Sequence, residues 1–269
     1  ARERDMWVWQ GMIAMDATRR AELFGFVDLY GIRAVYIESE GLVARTDDAL
    51  ETLVAEAETH CAQVDLLFGN PAWALRSEHD TLLLLIRDAI AFAARVSVPP
   101  RGVHLDVEPY ALPEWVSSPD ATALEFLEMV EAVAALLSTS PLELTIDIPF
   151  WFDGVMVDAG DGPRPLSERI QEVADRTVIL AYRDHAAPPD GIEDLSAVEL
   201  AHATSIGRPL VIAVETTCGL DPEKVSFCEE GPAVLEAELA SARATLVSEV
   251  GFGGFAIHSY TAYRALLGL

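Results

Sequence analysis

Gly102-Val103-His104-Leu105-Asp106-Val107-Glu108-Pro109-Tyr110 is the stretch on which the reading of this 269-residue chain turns. Successive side chains of a strand point to opposite faces. Val103, Leu105 and Val107 therefore share one face, and His104, Asp106 and Glu108 share the other. The apolar file suits packing beneath helices. The polar file must point somewhere enclosed, and burying three polar groups in a row is expensive unless they are satisfied or serve chemistry. A closed barrel, with helices outside and a site at its mouth, meets both demands.

Seven further β-rich runs extend that reading. All eight are Met6–Gln10, Ala34–Glu38, Val64–Gly69, Gly102–Glu108, Glu143–Ile148, Val178–Tyr182, Leu210–Glu215 and Gly254–Ser259. Their starts lie 28 to 44 residues apart, about the length of one βα unit. Between them run amphipathic stretches such as Asp47–Gln63, Asp120–Leu137 and Ala233–Val247, with apolar residues at helical spacing. The arithmetic is that of an α/β (β/α)8 TIM barrel, with residues 1–269 as one domain. A doubly wound sheet usually carries a glycine fingerprint after its first strand. Here that strand runs into Trp9-Gln10-Gly11-Met12. Gly251-Phe252-Gly253-Gly254 precedes the last strand and reads as a turn. No phosphate-binding GKS or GKT occurs.

Composition narrows the chemistry. The formal net charge is −26, which argues against nucleic acid or an anionic membrane surface as partner. No apolar run reaches membrane-spanning length; Leu82–Ile86 is followed at once by Arg87 and Asp88. Lys224 is the only lysine among 18 basic residues and lies in a loop-like Asp221-Pro222-Glu223-Lys224. Schiff-base and pyridoxal chemistry, which need a site lysine, are thereby disfavoured. The reading implies no cofactor and no metal. Cys61, Cys218 and Cys228 show no zinc spacing. Cys218 and Cys228 are close enough in sequence to pair, but buried free thiols are the expectation. The opening Ala1-Arg2-Glu3-Arg4 leaves the compartment open between secretion and the cytoplasm, and oligomeric state is likewise left open.

Barrel enzymes carry their chemistry at the C-terminal ends of the strands. Those ends supply Trp9; Glu38 and Glu40; Asn70 and Trp73; His104, Asp106 and Glu108; Asp147, Trp151 and Asp153; Tyr182, Arg183 and Asp184; Glu215; and His258 and Tyr260. Acids are rarely buried unless paired or functional. Asp106 and Glu108, two residues apart on one face, are expected to couple, so that one holds its proton near neutral pH. A general acid needs that. The structural alternative is an ion-pair network with Arg101 or Arg183.

These residues resemble glycoside hydrolases in two ways. Arg101–Glu108 is similar to the DxxDxDxE strand of the family 18 chitinases. The final Asp and Glu match, and His104 stands where the middle Asp falls. Tyr182 in Leu180-Ala181-Tyr182-Arg183-Asp184 looks like that family's strand-6 tyrosine. Ile257-His258-Ser259-Tyr260 stands where the family has a strand-8 tryptophan. The resemblance implies that the substrate's N-acetyl group attacks while Asp106 orients it. Glu108 would protonate the leaving oxygen, and Tyr182 would bond the acetamide. Val107-Glu108-Pro109 with a seventh-run Glu215 also resembles the retaining clan whose strands 4 and 7 end in glutamate. That version implies Glu108 as acid/base and Glu215 as nucleophile, with carboxyls about 5–5.5 Å apart.

The remaining strand-end residues suit a sugar. Trp9, Trp73, Trp151 and Tyr260 offer stacking faces, and Glu38, Asn70, His104, Asp147, Arg183 and His258 offer polar edges. The expectation is a carbohydrate-binding hydrolase with a retaining mechanism. Two rivals remain. Glu38, Asp106, Glu108, Asp147 and Glu215 are carboxylates of the kind magnesium favours, which would make a metal-dependent lyase or cyclase. A chitinase-like lectin without catalysis is the other.

Overall fold

The computed structural model describes residues 4–269; Ala1, Arg2 and Glu3, which the single-domain reading includes, lie outside the described residues. Eight parallel strands close a barrel in the order β1-β10-β9-β8-β5-β4-β3-β2. They are β1 (Arg4–Val8), β2 (Ile32–Glu38), β3 (Gln63–Phe68), β4 (Gly102–Leu105), β5 (Glu143–Pro149), β8 (Arg176–Leu180), β9 (Leu210–Glu215) and β10 (Phe252–His258). All eight apolar runs are strands. A short antiparallel pair, β6 (Met156–Asp158) and β7 (Pro163–Pro165), lies in the loop after β5, where no apolar run marks it.

Helices α1 (Ala17–Tyr30), α2 (Ala49–Thr59), α3 (His79–Arg95), α4 (Pro113–Ser117), α5 (Pro119–Leu137), α6 (Leu166–Val173), α7 (Ile192–Ile206), α8 (Pro232–Leu246) and α9 (Tyr260–Leu266) follow the strands. Local chemistry sets their ends. The Asp16 carboxylate accepts from the Thr18 and Arg19 amides at 2.8 and 3.2 Å, satisfying first-turn donors of α1. Gly31 closes the same helix at φ +65°, a conformation that favours glycine. Gly102 answers a packing demand, since a Cβ there would sit 2.3 Å from the Glu143 carbonyl on β5.

Period-2 alternation sorts the strands into two cores. Met6, Val8, Val35, Ile37, Leu66, Phe68, Val103, Leu105 and Val107 belong to the outer core under the helices. Trp7, Ala34, Tyr36, Leu67, Val178, Val211, Ala213 and Ala256 fill the barrel interior.

The interior is polar below that plug. Arg33 donates to Asp5 at 2.9 and 2.8 Å, Tyr36 donates to Asp5 at 2.8 Å, and Arg101 Nε donates to Asp65 at 2.8 Å. Asp5 and Asp65 are wholly buried. Burial pushes the Asp65 carboxyl up, but Arg101 outweighs it and the net direction is down. Removing one member of such a pair strands a charge in low dielectric. Arg101→Met is therefore expected to lower unfolding free energy by about 3–5 kcal/mol in urea melts. Adding Asp65→Asn should return part of that loss.

Candidate active site

The strand ends converge on a layered acidic mouth. Asp147, at the end of β5, is 3% exposed. Its Oδ2 accepts from the Trp7 indole at 3.2 Å, and its Oδ1 lies 2.7 Å from His104 Nε2. His104 is wholly buried, and burial drives its pKa down to about 4, so the ring is neutral. It supports Asp147 from beneath, and any effect it has on a ligand passes through that carboxyl.

Asp106 follows β4, its amide still bonded to the Phe68 carbonyl at 2.9 Å. Burial, then the charges of Asp147 and Glu108, push its pKa well up. Burial likewise raises Asp147, which hydrogen-bonds Asp106. The two carboxyls behave as one proton-retaining unit. Asp106 Oδ1 is nevertheless buried with no hydrogen-bond partner. Glu108, two residues on, is partly exposed, and Tyr110 donates to its Oε1 at 2.7 Å. Arg101 is committed to Asp65 and Arg183 to Asp190, so among the described residues neither Asp106 nor Glu108 pairs with an arginine. The ion-pair alternative is not what the strand-4 acids do.

Glu215 ends β9 and is 5% exposed. Its Oε1 accepts from the Thr216 and Thr217 amides at 2.7 and 2.8 Å, and its Oε2 meets His258 Nδ1 at 2.7 Å. Burial raises its pKa, but these donors outweigh it and the carboxyl is held low, hence ionised. His258 Nε2 accepts from the Trp9 indole at 3.0 Å. The far edge of that indole reaches Gly69, where a Cβ would stand 2.7 Å from Trp9 Cη2 and 3.1 Å from the Asp106 carbonyl. Trp9 thus crosses the mouth from β10 to the end of β3. Tyr182 sits beside this layer. Burial first, then Glu215, Asp106 and Asp147, raise its phenol far above the usual range, so it remains a donor.

The structure brings Trp9, Asp106, Glu108, Asp147, Tyr182, Glu215 and His258 to one mouth. Other expected residues lie elsewhere. Trp73 is 2% exposed in the outer core and offers a sugar no open face. Tyr260, 5% exposed, packs edge-on against Phe26 of α1, outside the mouth. Arg183 clamps its own loop, bonding the Tyr182 carbonyl at 2.7 Å and Asp190 at 2.8 Å. Asn70 is exposed and bonds the Ala72 amide, shaping the turn after β3. Glu38 accepts from the Glu40 amide at 2.9 Å and sits against Gly11; burial raises its pKa. Trp151 lies with Tyr110, Trp115 and Phe152 in an aromatic cluster beside Glu108. Cys218 and Cys228 correct the free-thiol expectation: they form a disulfide across the loop after β9, with Cα atoms 5.0 Å apart. Among the described residues no group of three His, Cys, Asp or Glu side chains is set to hold a metal ion, so the carboxylate-cluster alternative lacks its centre.

Trp7, Tyr110 and Trp115 went unread in the sequence. Trp7 had a signal: it shares Trp9's face two residues earlier.

No protein-family model matches the chain, and no curated protein matches it in sequence. Solved structures do match. A chitinase from Chromobacterium violaceum ATCC 12472 superposes with a TM-score of 0.59 at 12% identity, covering 100% of this chain and 98% of that one. A GH18 chitinase from Cycas revoluta, in complex with (GlcNAc)3, gives 0.58 at 14% identity, with 98% and 97% covered. The spore cortex-lytic enzyme SleL of Bacillus megaterium QM B1551 gives 0.58 at 12% identity, covering 99% of this chain and 73% of that one. The chain shares the TIM-barrel fold of these structures.

Gly69 is where a methyl group reports on Trp9. Gly69→Ala should displace the half-exposed indole, altering near-UV circular dichroism and tryptophan emission. The barrel's thermal midpoint should move little, because the ring has solvent to move into. An unchanged spectrum would mean that Trp9 does not lie over Gly69.

Proposed function

We propose that the chain hydrolyses glycosidic bonds in a glycan of N-acetylated amino sugars, with retention at the anomeric carbon. The carrying observation is the Asp106 carboxyl, proton-retaining beside Asp147 and two residues before the partly exposed Glu108. A carboxyl so placed can accept from an amide N–H of a ligand at the mouth, and an acetamide supplies one. The chitinase-like fold and the neighbour carrying (GlcNAc)3 support the same substrate class.

In this reading Glu108 gives its proton to the glycosidic oxygen as the bond to the anomeric carbon breaks. The acetamide carbonyl oxygen attacks that carbon from the opposite face. Asp106 accepts from the acetamide N–H, and the shared proton shifts toward Asp147 as it does so. The Tyr182 hydroxyl donates to the acetamide oxygen. Water then attacks the anomeric carbon as the bond to the acetamide oxygen breaks and the acetamide re-forms, and the water gives a proton to the Glu108 carboxylate, which restores the acid. Two displacements retain configuration. Glu215 is the weaker candidate for nucleophile, because three donors already occupy its two oxygens. It acts here as a positioning group.

Hydrolysis of an aryl glycoside panel that includes N-acetylglucosaminides tests this. Turnover should favour the N-acetylated sugars and ignore EDTA. Glu108→Gln should lower kcat by about 10²–10⁴-fold, the usual worth of an acid/base group, with the circular dichroism spectrum retained. Asp106→Asn should cost comparably, whereas Glu215→Gln should act mainly on KM. If Glu215→Gln abolishes turnover and Asp106→Asn does not, Glu215 is the nucleophile. Activity should also fall at alkaline pH. The Asp106–Asp147 pair has a raised pKa, so its proton is retained in neutral solution and lost as pH climbs through that value. In Asp147→Asn, which cannot ionise, that limb should move.

A further inference from the structure

We propose that Glu215, His258 and Trp9 form a proton gate, in which neutral His258 anchors Trp9 across the barrel mouth and protonated His258 releases it. The inference rests on reading the mouth as a carbohydrate site, and it deepens that reading.

An indole N–H on Nε2 and a carboxylate on Nδ1 together select one tautomer of neutral His258. An indole N–H only donates, so the 3.0 Å contact from Trp9 Nε1 requires a lone pair on His258 Nε2. The imidazole proton must then sit on Nδ1, where it is donated to Glu215 Oε2 at 2.7 Å. The two Thr amides on Oε1 hold the carboxylate still. The chain Glu215–His258–Trp9 is thus fixed in one tautomer and one direction. Protonating Nε2 sets two donors against each other, and the indole loses its acceptor. The indole N–H of this partly exposed ring has no other hydrogen-bond partner among the described residues, and its far edge lies against Gly69.

The groups around His258 decide when this happens. Glu215 faces it from β9, Asp106 from beyond β4 and Asp147 from β5. Trp7 and Tyr182 add uncharged rings at 5.5 and 6.3 Å. Burial disfavours the cation, but Glu215 and then the two aspartates outweigh it, so the His258 pKa lies above the usual histidine value. The Trp9 bond opposes them by favouring the neutral ring. The anchored state therefore belongs to the higher-pH side, and acidification through the His258 titration frees Trp9. Linkage requires the converse. A sugar that holds Trp9 in place must favour neutral His258, so binding expels a proton.

Two measurements test the gate. In the free protein, nitrogen-edited imidazole spectra should show one of the six histidines, the one lost in His258→Gln, as the Nδ1–H tautomer at high pH. Tryptophan emission should titrate with it. Separately, binding of (GlcNAc)4 to the Glu108→Gln protein is followed calorimetrically across pH in buffers of differing ionisation heat. Affinity should fall toward about tenfold per pH unit below the His258 titration, with proton release on binding. In His258→Gln, whose amide oxygen accepts from Trp9 without titrating, this component should vanish. An Nε2–H tautomer, or tryptophan emission indifferent to His258, overturns the gate whatever binds. Normal titration of Trp9 with no affinity for (GlcNAc)4 at any pH would instead sink the amino-sugar reading and leave the gate standing.

Discussion

A carboxylate inside a barrel needs a cation, a proton or fixed donors beside it, and this barrel uses cations at the bottom and a retained proton or fixed donors at the top. At the bottom, Asp5 and Asp65 are matched by Arg33 and Arg101. At the top, Asp106 and Asp147 are matched by a shared proton, with Trp7 and His104 as uncharged supports. Strand alternation links the two ends. Asp5, Trp7 and Trp9 follow one another up the inner face of β1. Asp65, Leu67 and Gly69 do so along β3, and Thr145 and Asp147 along β5. The apolar plug of Trp7, Tyr36, Leu67, Val178, Val211 and Ala213 separates the layers.

The extended parts of the chain were legible and the turns were not. Period 2 read the inward file of Gly102–Glu108 correctly, and the eight runs emerge as the eight barrel strands. The convergence of Asp147, Tyr182, Glu215 and His258 follows from the same rule. The rule fails where the backbone stops being extended. Trp73 lies in a 3₁₀ turn begun by Pro71, which swings the ring into the outer core. Tyr260 is the first residue of α9, and its side chain turns toward α1. Arg183 follows β8 by three residues and folds back on its own loop. Cys218 and Cys228 are ten residues apart in irregular chain, where no periodicity says whether two thiols meet. The partnership of Asp147 with His104 was hidden for another reason: cross-strand register depends on stagger, which composition does not encode.

The loops around the mouth carry cations, but each has a carboxylate. Arg45 meets Asp47, Arg76 meets Glu128, Arg164 meets Glu172, and Arg183 and Lys224 share Asp190. These pairs order the loops and leave their positive charge locally matched. The −26 net charge is therefore not relieved at the mouth by these residues. Such a rim suits an uncharged glycan better than one bearing carboxylates or phosphates, because every anion approaching it meets like charge. The N-acetylated amino sugar proposed above meets that condition.

Two histidines show how closely the site's protonation depends on place. His104 is wholly buried, and its hydrogen-bond partner is the raised, proton-retaining Asp147; burial prevails and the ring is neutral. That neutrality is useful. A cation at this position would lower both Asp106 and Asp147 and disperse their shared proton. His258 is partly exposed, and it touches Glu215, a carboxylate kept ionised by two backbone amides. The balance reverses and the ring is drawn toward the cation. The same side chain is inert beneath the acids and responsive at their rim. The difference lies in whether the neighbouring carboxyl has kept its proton.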